Sequence, residues 1–97
     1  MCRIYKALLM KSQLTNAGNT IVPAYLALLA RGLSIVKEPS AFTESGMIWV
    51  AEDTTTQFSA EDLVTLLGLV AMQETRGAGW QASDEEIESF FAKYGVP

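Results

Sequence analysis

Residues 58–77 read FSAEDLVTLLGLVAMQETRG, and this stretch carries the strongest local signals in the 97-residue chain. Ser59 followed by Asp62 approximates a capping box, in which side chains at a helix start bond to free backbone amides. Phe58 and Leu63 stand at the positions of a hydrophobic staple, a contact that fixes how the chain enters a helix. The stretch therefore predicts a helix start close to Ser59.

The apolar residues that follow are spaced as on one face of a helix: Leu63, Leu66, Leu67 and Val70. Gly77 is suited to the backbone conformation that ends helices, so we predict a helix from about residue 60 to Arg76. Leu69 and Met72 widen the apolar face over most of the circumference. This pattern predicts a helix buried in the middle of the fold.

A second capping box begins the last helix, where Ser83 precedes Glu86 by three residues. The acidic residues at this start favour the positive end of a helix, and Gly95 is expected to end it. Four apolar residues form a stripe that we expect to face the core: Ile87, Phe90, Phe91 and Tyr94.

The N-terminal half predicts two more helices. Arg3–Leu14 has helical apolar spacing, with a strand as the alternative for its first half. For the next helix, Thr20 can cap, Pro23 suits the first turn, and Gly32 fits the position just after the end.

Two short strands are expected between these helices, at Leu33–Val36 and Met47–Glu52, paired as an antiparallel hairpin. Their connection, Lys37–Gly46, is long for a hairpin loop, which suggests that it is either mobile or used in binding. The predicted fold is α+β, with about four helices and a small antiparallel β-hairpin in a single domain covering residues 1–97.

Composition sets the expected environment. The single cysteine, Cys2, cannot form an intramolecular disulfide, which favours a reducing compartment. The apolar stretches 21–36 and 63–72 are interrupted or short compared with the roughly 20 residues of a membrane span. The start of the chain lacks the uninterrupted apolar core of a signal peptide. We therefore expect a cytoplasmic protein that does not bind a membrane.

Charge is divided unequally along the chain. Residues 1–48 carry five basic and two acidic side chains, for a net charge of +3, whereas residues 49–97 carry two basic and nine acidic ones, for a net charge of −7. An acidic half repels phosphate backbones, so we expect no binding to nucleic acid. A basic protein is the better electrostatic partner.

Few residues are equipped for catalysis. There is no histidine, and Cys2 therefore has no histidine to activate it. We predict no catalytic residue, no cofactor site and no enzymatic activity. The alternative rests on Glu52, Asp53, Glu61 and Asp62, which could converge on Mg²⁺ or Ca²⁺ but are also explained by helix capping and a solvated loop. We predict no metal site.

Four residues are candidates for binding a partner: Trp80, Asp84, Glu85 and Glu88. Trp80 could anchor an interface or lock its linker over the core. The acidic residues could contact a basic partner or form a solvated first turn. Trp49, in a predicted strand, is expected to pack in or beside the core.

In size, acidity and lack of catalytic groups, the whole chain resembles the small bacterial immunity proteins that neutralise nuclease toxins in the colicin and contact-dependent inhibition systems. The resemblance implies that the partner is a cognate toxin domain whose basic, substrate-binding cleft would be occupied or flanked. The competing hypothesis is a homodimeric structural or regulatory subunit, which the apolar content of 49% would suit.

Overall fold

A computed structural model describes residues 12–95. Over this part of the chain it contains three α-helices and three strands, in the order α1 (Ile21–Ala30), β1 (Ser34–Pro39), β2 (Met47–Glu52), β3 (Gln57–Ala60), α2 (Leu63–Arg76) and α3 (Asp84–Tyr94). Short 3-10 turns precede α1 and follow α2. The α+β prediction is confirmed.

The helix predicted at Arg3–Leu14 lies mostly outside the described residues, as does Cys2. Its last three positions, 12–14, are described and are not helical. The helix predicted after Thr20 is confirmed as α1, but the Thr20 side chain does not cap it. Its hydroxyl instead donates to the Ala17 carbonyl at 2.7 Å. Gly32, just beyond the end of α1, has the positive φ of 79° that the sequence predicted.

The strands form one antiparallel sheet in the order β1-β2-β3. The predicted hairpin is confirmed, but β1 continues to Pro39 and shortens the connection to residues 40–46. This loop is held by backbone bonds, including one from the Ser40 amide to the Gly46 carbonyl at 2.8 Å. Phe42 at its tip is 98% exposed.

The third strand, β3, was not predicted from the sequence. Residues 57–60, where the sequence predicts the end of a loop and the start of a helix, pair with β2 from Gln57 opposite Glu52 to Ala60 opposite Trp49. Helix α2 consequently starts at Leu63, and its cap is Asp62, whose carboxylate accepts from the Thr65 amide at 2.8 Å. The prediction that Ser59 begins the helix was wrong.

One apolar core lies between the sheet, α1 and α2. Leu28 of α1 and Leu66 of α2 are its largest fully buried side chains. Trp49 and Phe58 are half-buried against it, which confirms the prediction for Trp49. The face of α2 that carries Met72 is open, so this helix is less enclosed than its sequence predicted.

Candidate protein-binding surface

Helix α3 is positioned by its first turn. The Ser83 side chain accepts from the Glu86 amide at 3.2 Å, and the Glu86 carboxylate accepts from the Ser83 amide at 2.9 Å. The predicted capping box is therefore confirmed. These bonds satisfy amides that the helix itself cannot pair, which fixes where α3 begins.

The Glu86 carboxylate has a second partner. The Ser83 backbone amide, and next the positive charge of Arg76, hold the pKa of Glu86 below its usual range. The guanidinium of Arg76 lies 3.5 Å from the Glu86 carboxylate. Arg76 is the last residue of α2, so this ion pair links the end of one helix to the start of the next.

The apolar stripe of α3 does not face the core, contrary to the prediction. No residue of α3 is buried. Ile87, Phe90 and Tyr94 are 41%, 56% and 68% exposed, and Phe91 is half-buried. The apolar residues share one face of the helix as predicted, but residues 12–95 leave most of that face uncovered.

The exposed aromatic rings contact one another. The Phe90 ring lies edge-on to that of Phe91, with centroids 5.6 Å apart, and tilted against that of Tyr94 at 5.1 Å. Apolar residues at 87, 90, 91 and 94 repeat the spacing with which an amphipathic helix docks into a partner's groove. Helix α3 thus presents an apolar ridge of associated side chains.

The predicted acidic residues lie on this same helix. Asp84, Glu85 and Glu88 are exposed, and none belongs to either of the two ion pairs among residues 12–95. Because Asp84 and Glu88 are four residues apart, they share one side of the helix beside the apolar ridge. The structure therefore brings these three candidates together on one element.

Trp80 occupies a different position. Its side chain is 45% exposed and lines a groove of about 220 Å³ together with residues of β3 and α2. No residue of α3 lines this groove. The backbone of Trp80 is tied to α2, because its carbonyl accepts from the Arg76 guanidinium at 3.0 Å.

Two of the four carboxylates considered for a metal accept bonds from nearby residues instead. Asp53 accepts from the amides of Thr55 and Thr56, both at 2.8 Å, and these bonds lower its pKa. Bonds from the Thr65 amide and hydroxyl lower the pKa of Asp62 in the same way. Within residues 12–95, no three metal-binding side chains form a group that could hold an ion.

No family model, curated protein or solved structure matches this chain. Among the helices of residues 12–95, none has the length and apolar character needed to cross a membrane.

Sequence reasoning missed a second exposed apolar surface, on α1. Five of its side chains are partly or largely exposed: Ile21, Val22, Tyr25, Leu26 and Leu29. No charged residue occurs between Ile21 and Ala30. The absence of any charge over ten residues was the available signal, because a helix with one solvated face normally carries polar side chains there.

Proposed function

We propose that this protein is a binding module without catalytic activity, and that α3 docks into an apolar groove on a basic protein partner. The observation that carries the proposal is the exposure of Ile87, Phe90 and Tyr94 on a helix with no buried residue. Exposed apolar ridges bordered by charge are typical of protein interfaces.

The charge beside the ridge defines the partner's electrostatics. Asp84, Glu85 and Glu88 would meet basic side chains at the rim of the groove and speed encounter through long-range attraction. Salt screens this attraction over about 8 Å at physiological ionic strength. Association should therefore slow as salt rises, while the apolar contacts govern dissociation.

The basic partner that we propose is a toxin domain, in keeping with the resemblance to immunity proteins in size and acidity. Docking of α3 over or beside a basic catalytic cleft would exclude substrate. A gene for a large secreted toxin immediately upstream would support this assignment, and inhibition of that toxin by the purified protein would test it directly.

The experiment compares three baits in affinity capture from the source cell: the unchanged protein, Phe90→Ser and Phe42→Ser. Both substitutions remove an exposed phenylalanine, but Phe42 lies in the segment Lys37–Gly46, which the sequence analysis suggested is either mobile or used in binding. We expect Phe90→Ser to lose the partner and Phe42→Ser to retain it. The reverse result would place the interface on the loop and overturn the role of α3.

Binding kinetics with the captured partner then separate the contributions. Reversal of Asp84, Glu85 and Glu88 to lysine should lower the association rate and its salt dependence. Phe90→Ala should mainly raise the dissociation rate. A partner with an acidic surface, or binding that ignores all four residues, would contradict the proposal.

A homodimer is the second candidate, and the exposed face of α1 favours it. A charge-free helix does not repel its own copy, although the whole chain carries a charge of −4. Sedimentation of the unchanged protein and of Leu26→Glu tests this. A concentration-dependent dimer that Leu26→Glu dissociates would support it, whereas a monomer at high concentration would exclude it.

A further inference from the structure

The sheet has two outer edges, one on β1 and one on β3. An edge strand carries backbone N–H and C=O groups that no neighbouring strand pairs, and these can accept an additional strand from another chain. The two edges of this protein differ in how open they are to such pairing.

The outward groups of β3 follow from its register. The Asp53 amide donates to the Thr56 carbonyl at 3.0 Å, which makes these two residues a hydrogen-bonded pair. Bonded pairs alternate along antiparallel strands, so Phe58 and Ala60 bond to β2, while the backbone groups of Gln57 and Ser59 point outward. Within residues 12–95, no other segment hydrogen bonds to these outward groups.

The edge of β1 is protected by two of its residues. The bond from the Ser40 amide to the Gly46 carbonyl sets the same alternation, which leaves Ile35, Lys37 and Pro39 outward. Pro39 has no N–H to offer, and Lys37 adds a charge, both of which are devices that discourage an added strand. Strand β3 contains neither proline nor lysine.

A groove lies beside β3, outside the apolar core. It has a volume of about 220 Å³ and lies between β3, α2 and the Trp80 side chain. Leu69, Met72 and Trp80 supply its apolar lining, and Gln73 and Thr56 supply polar groups. None of the residues lining it is charged, so the groove suits an apolar side chain.

Negative charge stands at both ends of β3. Glu52 and Asp53 precede the strand across the turn, and Glu61 and Asp62 follow it directly. Asp53 and Asp62 are engaged by local amides, but Glu52 and Glu61 are exposed and in no ion pair of the described residues. A segment lying along β3 would meet carboxylates at its two ends and none in its middle.

We propose that β3 binds an extended peptide segment of a partner protein as a fourth strand. The segment pairs with the backbone of Gln57 and Ser59 and places an apolar side chain in the groove against Met72 and Trp80. Lysine or arginine at its two ends meets Glu52 and Glu61. This site is distinct from the apolar ridge of α3 and goes beyond the function proposed for that helix.

The test uses a panel of synthetic, acetylated seven-residue peptides. A four-residue strand is about 13 Å long, so seven residues reach beyond both of its ends. Each peptide alternates threonine with valine, carries lysine at both ends, and has leucine, methionine, valine or phenylalanine at its centre. Matched controls carry glutamate at both ends, or N-methyl groups on the amides that would pair with β3.

Binding is followed by the amide resonances of Gln57 and Ser59 and by tryptophan fluorescence, since the peptides contain no tryptophan. We expect shifts at both amides and a change in the tryptophan emission of the protein with at least one lysine-ended peptide. N-methylation should weaken binding at least about tenfold, because each methyl removes a strand-pairing donor. Peptides with glutamate at both ends should also bind more weakly than the lysine-ended ones, most clearly at low salt.

Protein variants locate the site. Trp80→Ala should weaken binding about tenfold or more, whereas Tyr94→Ala, which removes an exposed aromatic ring on α3, should leave it unchanged. Ser59→Pro removes an outward amide without removing a bond to β2, and circular dichroism checks that it folds. The N-methylated peptides test the same hydrogen bonds with the protein unaltered.

Three results would overturn the proposal. One is the failure of every lysine-ended peptide to bind at about millimolar concentration, the range of very weak recognition. Another is equal binding of the N-methylated peptides. The third is peptide binding that Tyr94→Ala abolishes, which would assign the peptide to α3. Loss of partner capture by Phe90→Ser is a separate result and leaves the β3 site unaffected.

Discussion

The guanidinium of Arg76 donates from Nε to the backbone carbonyl of Trp80 across 3.0 Å. The same side chain reaches Glu86 with its Nη2 at 3.5 Å. One arginine at the end of α2 thus holds both the segment that carries Trp80 and the capping box of α3. The two candidate binding surfaces are connected through this side chain.

Arg76→Ala should therefore loosen the Trp80 segment with little loss of overall stability. Exposed ion pairs contribute only about 0–1 kcal/mol to the free energy of unfolding. We expect faster amide hydrogen exchange at residues 81–83 and a red shift of the tryptophan emission measured in a Trp49→Phe background. Arg31→Ala removes the second exposed ion pair of residues 12–95, with Glu74 at 3.0 Å, and should alter neither signal. Identical amide exchange at residues 81–83 in the two variants would contradict the conclusion that Arg76 holds the Trp80 segment.

The two serines that the sequence placed at helix starts should respond differently to alanine. Ser83→Ala leaves the Glu86 amide without its acceptor and should lower the free energy of unfolding by about 1 kcal/mol. Ser59 lies in β3 and caps nothing, so Ser59→Ala should change it by less than about 0.5 kcal/mol. Urea denaturation of both variants measures the difference, and equal losses would argue against the observed start of α2.

Because Asp62 caps α2, two substitutions at this position should differ in stability. Asp62→Ala should cost about 1 kcal/mol, because the Thr65 amide and hydroxyl lose the carboxylate that accepts from them. Asp62→Asn keeps an acceptor oxygen at this position and should recover most of that loss. Thermal unfolding of the three proteins tests this, and Asn as damaging as Ala would mean that charge, not capping, dominates.

Stability should fall as the solution becomes acidic. Hydrogen bonds lower the pKa of Asp53, Asp62 and Glu86 in the folded protein, so the unfolded chain takes up protons first as the pH drops. The stabilisation is fully present above the unfolded pKa values of about 4 and is lost as pH falls through the folded ones. Denaturation midpoints from pH 6 to about pH 2 measure the slope. Asp62→Asn should make stability depend less steeply on pH. An unchanged slope would mean that the lowered pKa of Asp62 is not a cause of the acid sensitivity.

Substitution of a core leucine and of a surface leucine of α1 by alanine should destabilise the protein to clearly different extents. Leu28 is fully buried between α1 and α2, so Leu28→Ala should cost about 2–5 kcal/mol through lost burial and a cavity. Leu26 lies on the exposed face, so Leu26→Ala should lower the free energy of unfolding by less than about 1 kcal/mol. Chemical denaturation at a concentration where the protein is monomeric makes the comparison. A large loss for Leu26→Ala there would mean that part of the chain covers this face.

Local signals in the sequence were sufficient for several elements. The capping box at Ser83 and Glu86, the helix ends at Gly32 and Gly77, and the β1–β2 hairpin were all predicted and are present. The hairpin follows from two segments that favour extended backbone. The capping box and the helix ends depend on bonds between residues close in the chain, or on the backbone freedom of glycine. Neighbouring residues alone supply that information.

The binding candidates were only partly determined by sequence. The acidic composition of Asp84, Glu85 and Glu88 could be read directly, and a helix start places them together. The exposure of the apolar ridge beside them could not be predicted. The periodicity of Ile87, Phe90 and Tyr94 defines a helix face but does not say what covers that face. The groove beside Trp80 was equally hidden, since β3, α2 and the Trp80 segment meet there only in the folded chain.

The choice between Ser59 and Asp62 as the start of α2 shows the same limit. Both residues can cap a helix, and nothing in the residues around them decides between the two. Pairing of Gln57–Ala60 with β2 decides it, because it commits these four residues to extended backbone before the helix can begin. Sequence by itself determined the capping box at Ser83, the glycine stops and the acidity. Tertiary structure decided that residues 57–60 pair with β2 and which apolar face stays open, because the local sequence pattern specifies neither the strand partner nor the surface that covers a face.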